Sequence, residues 1–134
     1  MTVDRDFPYE KLTYKVIGCL YEVFNDLGFG HPEKVYQKAI AKELGLQNIK
    51  FSREKVSKVR YKDTAVGYYY HDFLIENDVV LEIKVGNDFY QNHLRQVLTY
   101  LKDSKLRLGI VSIFSPNGVM IKRVLNSDLR SKPA

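Results

Sequence analysis

The stretch from Tyr70 to Val85 constrains the fold more than any other part of the chain. Two short apolar runs, at residues 73–75 and 79–81, flank a polar segment at residues 76–78. Apolar runs of this length around a turn segment are typical of a β-hairpin. The stretch therefore predicts two antiparallel strands joined by a tight turn, which places this part of the chain in a sheet.

Charged residues stand where these strands are expected to be buried. With a three-residue loop, counting outward from the turn places Asp72 opposite Glu82, and the period of two places Lys84 on the same face. A two-residue loop would instead place Asp72 opposite Ile83, on the other face. In the first register the carboxylates have Cβ atoms about 4.5–5.5 Å apart, a like-charge pair that destabilises the sheet without a cation between them. A divalent metal ion and the Lys84 ammonium would supply that charge.

This set of residues is suited to the cleavage of phosphodiester bonds. Mg²⁺ takes oxygen ligands, commonly one or two carboxylates with water and substrate phosphate. We predict that Asp72, Glu82 and the backbone carbonyl of Ile83 bind Mg²⁺ or Mn²⁺. Lys84 is predicted to orient the attacking water or to offset charge that develops on the phosphate. The spacing alone has a second explanation, because surface hairpins often carry Glu and Lys two residues apart as an ion pair.

Apolar periodicity predicts three helices and five strands. The helices are predicted at Tyr9–Leu27, at Pro32–Leu44 with Gly45 closing it, and at Tyr90–Lys102. The strands are predicted at residues 49–61, 66–75, 79–85, 106–114 and 119–125. The resulting order is α-α-β-β-β-α-β-β. The helix between the third and fourth strands implies a right-handed parallel crossover, so we expect a mixed sheet with helices packed against it.

Glu33 is a further candidate site residue, at the start of the second helix. It lies three and seven residues before Tyr36 and Ile40, and so shares a helix face with them. Because Ile40 is apolar and Tyr36 amphipathic, that face is expected to look inward. Glu33 could then bind a second ion or a water on the first. The alternative is that its carboxylate only complements the dipole at the helix N-terminus.

The third helix carries a polar stripe beside its apolar one. His93, Gln96 and Tyr100 are spaced to share a face that lies near the edge of the predicted carboxylate site. Gln96 and Tyr100 are predicted to position the nucleophile or the phosphate. The alternative is that the stripe is the solvent face of the helix.

The positive charge of the chain is concentrated in one window. The formal net charge is +5. The basic residues of this window are Lys50, Arg53, Lys55, Lys58, Arg60 and Lys62. Such a stripe favours polyanions, because neutralised phosphates release counterions. We predict that Lys58, Arg60 and Lys62, together with His93, contact nucleic acid. Lysines on an exposed edge strand also prevent aggregation, which is the alternative explanation.

Several linked motifs are similar to those of a known family. The motif Gly30-x-x-Glu33-x-x-Tyr36 resembles the signature of the GxxExxY protein family, a branch of the PD-(D/E)XK nuclease superfamily. The likeness continues through Tyr61-Lys62, Gly67-Tyr68, residues 72–76, Glu82-Ile83-Lys84, His93, residues 96–101, Leu108-Gly109 and Lys122-Arg123. In one departure from the superfamily name, His71 stands before Asp72 in place of a proline.

The resemblance implies a fold and a site. It implies a restriction-endonuclease-like three-layer α/β core, with a metal ion bound by Asp72 and Glu82 and with Lys84 as the catalytic lysine. Gln96 and Tyr100 match a Gln-x-x-x-Tyr element of related exonuclease-type branches. Since proline makes no ligand, His71 is not expected to alter the chemistry.

We therefore expect residues 1–134 to form one domain, a Mg²⁺- or Mn²⁺-dependent nuclease that acts on DNA or RNA, with DNA the favoured expectation. The alternatives are a non-catalytic nucleic-acid-binding module and a homo-oligomeric assembly subunit, for example a homodimer. The single cysteine, Cys19, favours a reducing compartment. No apolar run approaches the roughly 18 residues of a membrane span, and the N-terminus lacks a signal-peptide pattern. The protein is thus expected in the cytoplasm.

Overall fold

The computed structural model describes residues 9–129. Its helices and strands are α1 (Glu10–Leu27), α2 (Glu33–Leu46), β1 (Phe51–Tyr61), β2 (Thr64–Ile75), β3 (Val79–Val85), α3 (Gln91–Ser104), β4 (Leu108–Ser115), β5 (Gly118–Leu125) and a short 3-10 helix at Ser127–Leu129. The predicted order of helices and strands is confirmed. Residues 1–8 and 130–134 lie outside the described residues. Within residues 9–129, no helix is long and apolar enough to cross a bilayer.

The strands form one mixed sheet in the order β1-β2-β3-β4-β5. Neighbouring strands are antiparallel except β3 and β4, which pair in parallel across the connection through α3. The sheet is mixed, as predicted. Helices α1 and α2 pack on one face and α3 on the other, so the chain forms three layers.

The alternation of side chains along β3 builds a core on each face of the sheet. Leu81 and Ile83 belong to the larger cluster, beneath α1 and α2. Val80 belongs to the smaller cluster, together with Val97 and Leu101 of α3. Because β3 lies in the middle of the sheet with helices above and below, its apolar residues are buried on both sides. A charged residue on this strand must therefore find a partner.

The predicted end of α2 at Gly45 is wrong. The helix runs on to Leu46, and the residue with a positive φ after it is Asn48, at 58°. The N–H of Ile49 donates to the carbonyl of Leu44 and the N–H of Asn48 to that of Gly45, the pattern of a Schellman motif. Leu44 and Ile49 are both buried. Their apolar contact places the left-handed residue at Asn48 and not at the glycine.

Candidate active site

The β2–β3 hairpin has the predicted register. Ile75 pairs with Val79, so the loop is the three residues 76–78. Glu76 and Asn77 both have positive φ, as in a type I′ turn, and the N–H of Asp78 donates to the carbonyl of Ile75. Of the two loop lengths considered from the sequence, the structure has the three-residue loop. The same register extended outward brings Asp72 to the level of Glu82.

Phe73 and Leu81 are the last paired residues of β2 and β3. Beyond them, hydrogen bonds from backbone N–H groups to carboxylate side chains replace the backbone–backbone hydrogen bonds. The N–H of Ile83 donates to Oδ2 of Asp72 at 2.7 Å. The N–H of Asp72 donates to Oε2 of Glu82 at 3.3 Å. Each carboxylate is therefore held by the backbone of the opposite strand at the point where the two strands separate.

The alternation of β2 reverses at Asp72. Phe73 packs in the cluster beneath α1 and α2, whereas His71 stacks on the ring of Tyr100 in α3 with centroids 4.4 Å apart. Residues two apart on a regular strand share a face, so the strand is irregular here. In β1 at the same level, Glu54 has a φ of +56° and no paired residue. This irregularity places Asp72 between the two helix layers.

On the α2 side, Asp72 is connected to Glu33 through Gln37. The amide of Gln37 donates to Oδ1 of Asp72 at 3.1 Å and to Oε2 of Glu33 at 3.4 Å. Tyr36 and Ile40 are fully buried and Glu33 is half-buried, so the predicted inward face of α2 is confirmed.

The surroundings of Asp72 disfavour the ionised form of its carboxyl group. Burial, and then the charge of Glu82, raises the pKa of Asp72 to about 7. The hydrogen bond from Ile83 and the charge of Lys84 act in the opposite direction but do not cancel these two effects. A cation bound beside both carboxylates would relieve the repulsion.

Glu82 is only 4% exposed and lies in a hydrogen-bonded chain. Its Oε2 is 2.8 Å from Nδ1 of His71, and Nε2 of His71 is 3.0 Å from Oγ of Ser57. Because an ionised carboxylate only accepts, Nδ1 of His71 carries a proton and donates it to Oε2. The other carboxylate oxygen, Oε1, is 4.0 Å from Nζ of Lys84. Lys84 is the more exposed member of that pair.

Helix α3 covers this chain with its polar stripe. Tyr100 is buried against His71, and Gln96 lies one turn before it and is half-buried. Burial, and then the charge of Lys84, lowers the pKa of His93. Nδ1 of His93 is buried and has no hydrogen-bond partner among residues 9–129. The predicted proximity of this stripe to the carboxylates is therefore confirmed.

Three predicted nucleic-acid contacts lie away from the carboxylates. Lys58 and Arg60 line a cavity of about 600 Å³ between β1 and α3. Lys62 lies in the turn at the tip of the β1–β2 hairpin, where its ammonium approaches the ring of Tyr61 at 5.3 Å. Eight residues of β2 separate that turn from Asp72, which amounts to about 26 Å of extended strand. Lys62 therefore cannot contact a phosphate that is bound beside Asp72.

Sequence reasoning missed three residues that contact the site. Gln37 lies four residues after Glu33 and shares its helix face, a spacing that could have revealed it. His71 adjoins Asp72, but its contact with Tyr100 depends on the irregularity in β2. No local sequence pattern identifies Ser57 as a site residue, because its partner, His71, is fourteen residues away and only strand pairing brings the two together.

Comparison with known proteins identifies the family. The family model of the PD-(D/E)XK nuclease superfamily matches residues 10–124. The chain belongs to this superfamily. A solved structure titled "Crystal structure of SSO0001" is similar with a TM-score of 0.51 at 19% identity, over 87% of this chain and 59% of that one. The chain thus spans less than two-thirds of that protein, and the likeness shows a shared fold. No curated protein matches.

Nucleases of the PD-(D/E)XK superfamily typically use divalent metal ions, and the residues present fit one. Asp72 and Glu82 offer the oxygen ligands that Mg²⁺ and Mn²⁺ prefer. Burial, and then the negative charge of Glu82, raises the pKa of Asp72, and a cation bound by both carboxylates would favour their ionised forms. Within residues 9–129, no cluster of three or more His, Cys, Asp and Glu side chains is arranged around a metal position.

Proposed function

We propose that this protein is a metal-dependent nuclease that hydrolyses phosphodiester bonds of nucleic acid, and we take DNA as its first candidate substrate, ahead of RNA. The supporting observation is that Asp72 and Glu82 converge at the separation of β2 and β3, with Lys84 within 4.0 Å of Glu82. We place the protein in the cytoplasm and in the GxxExxY branch that its motifs resemble.

Asp72, Glu82 and the carbonyl of Ile83 would hold Mg²⁺ or Mn²⁺. When bound, the ion would lower the pKa of a water molecule that it holds and would polarise the phosphoryl group. The side chain of Lys84 is the one cationic group of the proposed set and is partly exposed, so it can reach a substrate phosphate. We assign it the orientation of the attacking water and the offset of charge on the phosphate.

The helices supply the positioning groups. Gln37 ties Glu33 to Asp72, and this brings a third carboxylate to the edge of the site, where it can bind a second ion or a water. On the opposite side, Gln96 and Tyr100 would orient the nucleophile or the phosphate. His93, whose Nδ1 has no hydrogen-bond partner within residues 9–129 and whose pKa is lowered by burial and then by Lys84, would contact the nucleic acid.

His71 would act through Glu82. Its hydrogen bond fixes the carboxylate plane, and its own orientation is fixed by Ser57 and by stacking on Tyr100. Groups that hold a metal ligand in place commonly change metal affinity by 10- to 100-fold.

His71→Phe is therefore expected to weaken Mn²⁺ binding about 10- to 100-fold, since the ring is kept but the hydrogen bond to Glu82 is removed. Isothermal titration of Mn²⁺ measures this. Ser57→Ala is the matched control. It removes the hydrogen bond to His71, which does not involve Glu82 directly, and should change the Mn²⁺ affinity less. Equal Mn²⁺ affinity in His71→Phe and the wild type would contradict the positioning role.

Cleavage of plasmid and single-stranded DNA is expected to require Mg²⁺ or Mn²⁺ and to stop with EDTA. Lys84→Ala should lower the rate at least about 100-fold, because it removes charge stabilisation in the transition state, while Mn²⁺ still binds. Lys105→Ala, at the exposed end of α3, is the control.

The two alternatives predict different outcomes of the same assay. A binding module would bind DNA with a steep salt dependence, and neither metal nor Lys84→Ala would matter. An assembly subunit would not bind DNA, and light scattering would show a homodimer. Either result would remove the nuclease assignment.

A further inference from the structure

The outer face of the β1–β2 hairpin is aromatic and exposed. Tyr68 and Tyr70 are 55% and 69% exposed. They pair with Lys58 and Val56, and since directly opposed residues share a face, all four side chains lie together. Ser57 and His71, on the opposite face, are buried toward α3. The hairpin thus presents two tyrosine rings, a valine and a lysine to solvent.

This face continues into a groove that ends at the candidate active site. The groove has a volume of about 340 Å³ and lies between α2 and the hairpin. Its lining residues are Lys34, Gln37, Lys38, Arg53, Glu54, Tyr70, His71 and Asp72. Three cations thus face Glu54 and Asp72. Arg53 is held in place by the ring of Phe73, with its guanidinium carbon 5.2 Å from the ring centroid.

We propose that the tyrosine face and this groove bind single-stranded nucleic acid, with phosphates along Lys34, Lys38 and Arg53 and with bases stacked on Tyr70 and Tyr68. Exposed rings beside a basic groove are what single strands require, because their bases have free π faces. The bases of a duplex are stacked on one another and offer no such face. The groove then delivers the strand to Asp72. This last step rests on the proposed nuclease function; the binding itself does not.

The first test measures binding of a fluorescein-labelled 20-nucleotide single strand and of the same sequence as a duplex. Fluorescence anisotropy is recorded in EDTA, so that no cleavage occurs. The single strand is expected to bind at least about tenfold more tightly than the duplex. Tyr70→Leu should weaken single-strand binding at least about fivefold, whereas Tyr70→Phe, which keeps the ring, should not. Tyr14→Leu, at an 80% exposed position on α1, is the control.

The second test addresses the groove through salt dependence. For a single strand, the slope of log K against log salt becomes shallower by about 0.7 for each phosphate that the protein no longer neutralises. Lys38→Ala should therefore show a shallower slope than the wild type. Lys42→Ala is the matched control, because Lys42 lies one turn along the same helix and lines a different cavity.

The outcomes separate the two proposals. Tyrosine-dependent single-strand binding without any cleavage would support this inference and overturn the nuclease. Equal binding of duplex and single strand, or unchanged binding in Tyr70→Leu, would overturn this inference even if DNA is cleaved. A wild-type dimer by light scattering that Tyr70→Leu dissociates, with no single-strand binding, would also overturn it, because the face would then join two copies of the chain.

Discussion

Replacing Glu82 by glutamine is expected to abolish Mn²⁺ binding and cleavage together. The amide keeps the size of the side chain and an oxygen that can accept from His71, but it carries no charge to offset a divalent ion. Since a metal ion contributes several kcal/mol of charge stabilisation to such reactions, the cleavage rate should fall at least about 1000-fold. Isothermal titration of Mn²⁺ is run beside assays on plasmid and single-stranded DNA.

Glu76→Gln is the matched control for Glu82→Gln. Glu76 belongs to the same hairpin, at its turn, and its carboxylate accepts from the N–H of Lys50, which a glutamine oxygen can also do. Circular dichroism should show that both variants are folded. Unchanged cleavage in Glu82→Gln would remove Glu82 from the metal site.

The free energy of unfolding of the metal-free protein is expected to fall as pH rises, because Asp72 loses its proton. In the folded protein the pKa of Asp72 is raised to about 7 by burial and by Glu82, whereas an unfolded Asp has a pKa near 3.9. The stability that protonated Asp72 contributes to the folded state is therefore fully present below about pH 4 and is lost as pH rises through 7. The free energy of unfolding should fall by on the order of 4 kcal/mol over this window.

Asp72→Asn should remove most of this decline, since an amide does not titrate but can still accept from the N–H of Ile83. Urea unfolding at pH 4 to 8 measures it, with EDTA present. Asp103→Asn, at an exposed position on α3, should leave the decline unchanged. Added Mn²⁺ should restore stability to the wild type at pH 8. A wild-type protein equally stable at both pH values would contradict the burial of Asp72.

The β2–β3 hairpin was predictable because its information is local. Two apolar runs at residues 73–75 and 79–81, with a polar segment between them, predicted the hairpin, and the pairing of Ile75 with Val79 selects the three-residue loop. The same period of two placed Asp72 opposite Glu82. The order of helices and strands was equally accessible, because helical and strand periodicities differ.

The end of α2 was predicted wrongly for a reason that lies in the tertiary structure. A glycine is the usual residue for the left-handed position after a helix, but Asn also adopts it, and the contact of Ile49 with the core decided which of the two is used. The preference of glycine for the left-handed conformation at residue 45 therefore stabilised the chain less than the burial of Ile49 did.

The sequence by itself determined the order of helices and strands, because helical and strand periodicities differ, and it limited the residue opposite Asp72 to Glu82 or Ile83, because the loop is short. Only the tertiary structure decided that Gln37 reaches Asp72 and that Ser57, His71 and Glu82 form a chain. These contacts join residues 11 to 35 positions apart. They depend on an irregularity in β2 that turns His71 toward α3, and no local pattern of residue types encodes such a turn.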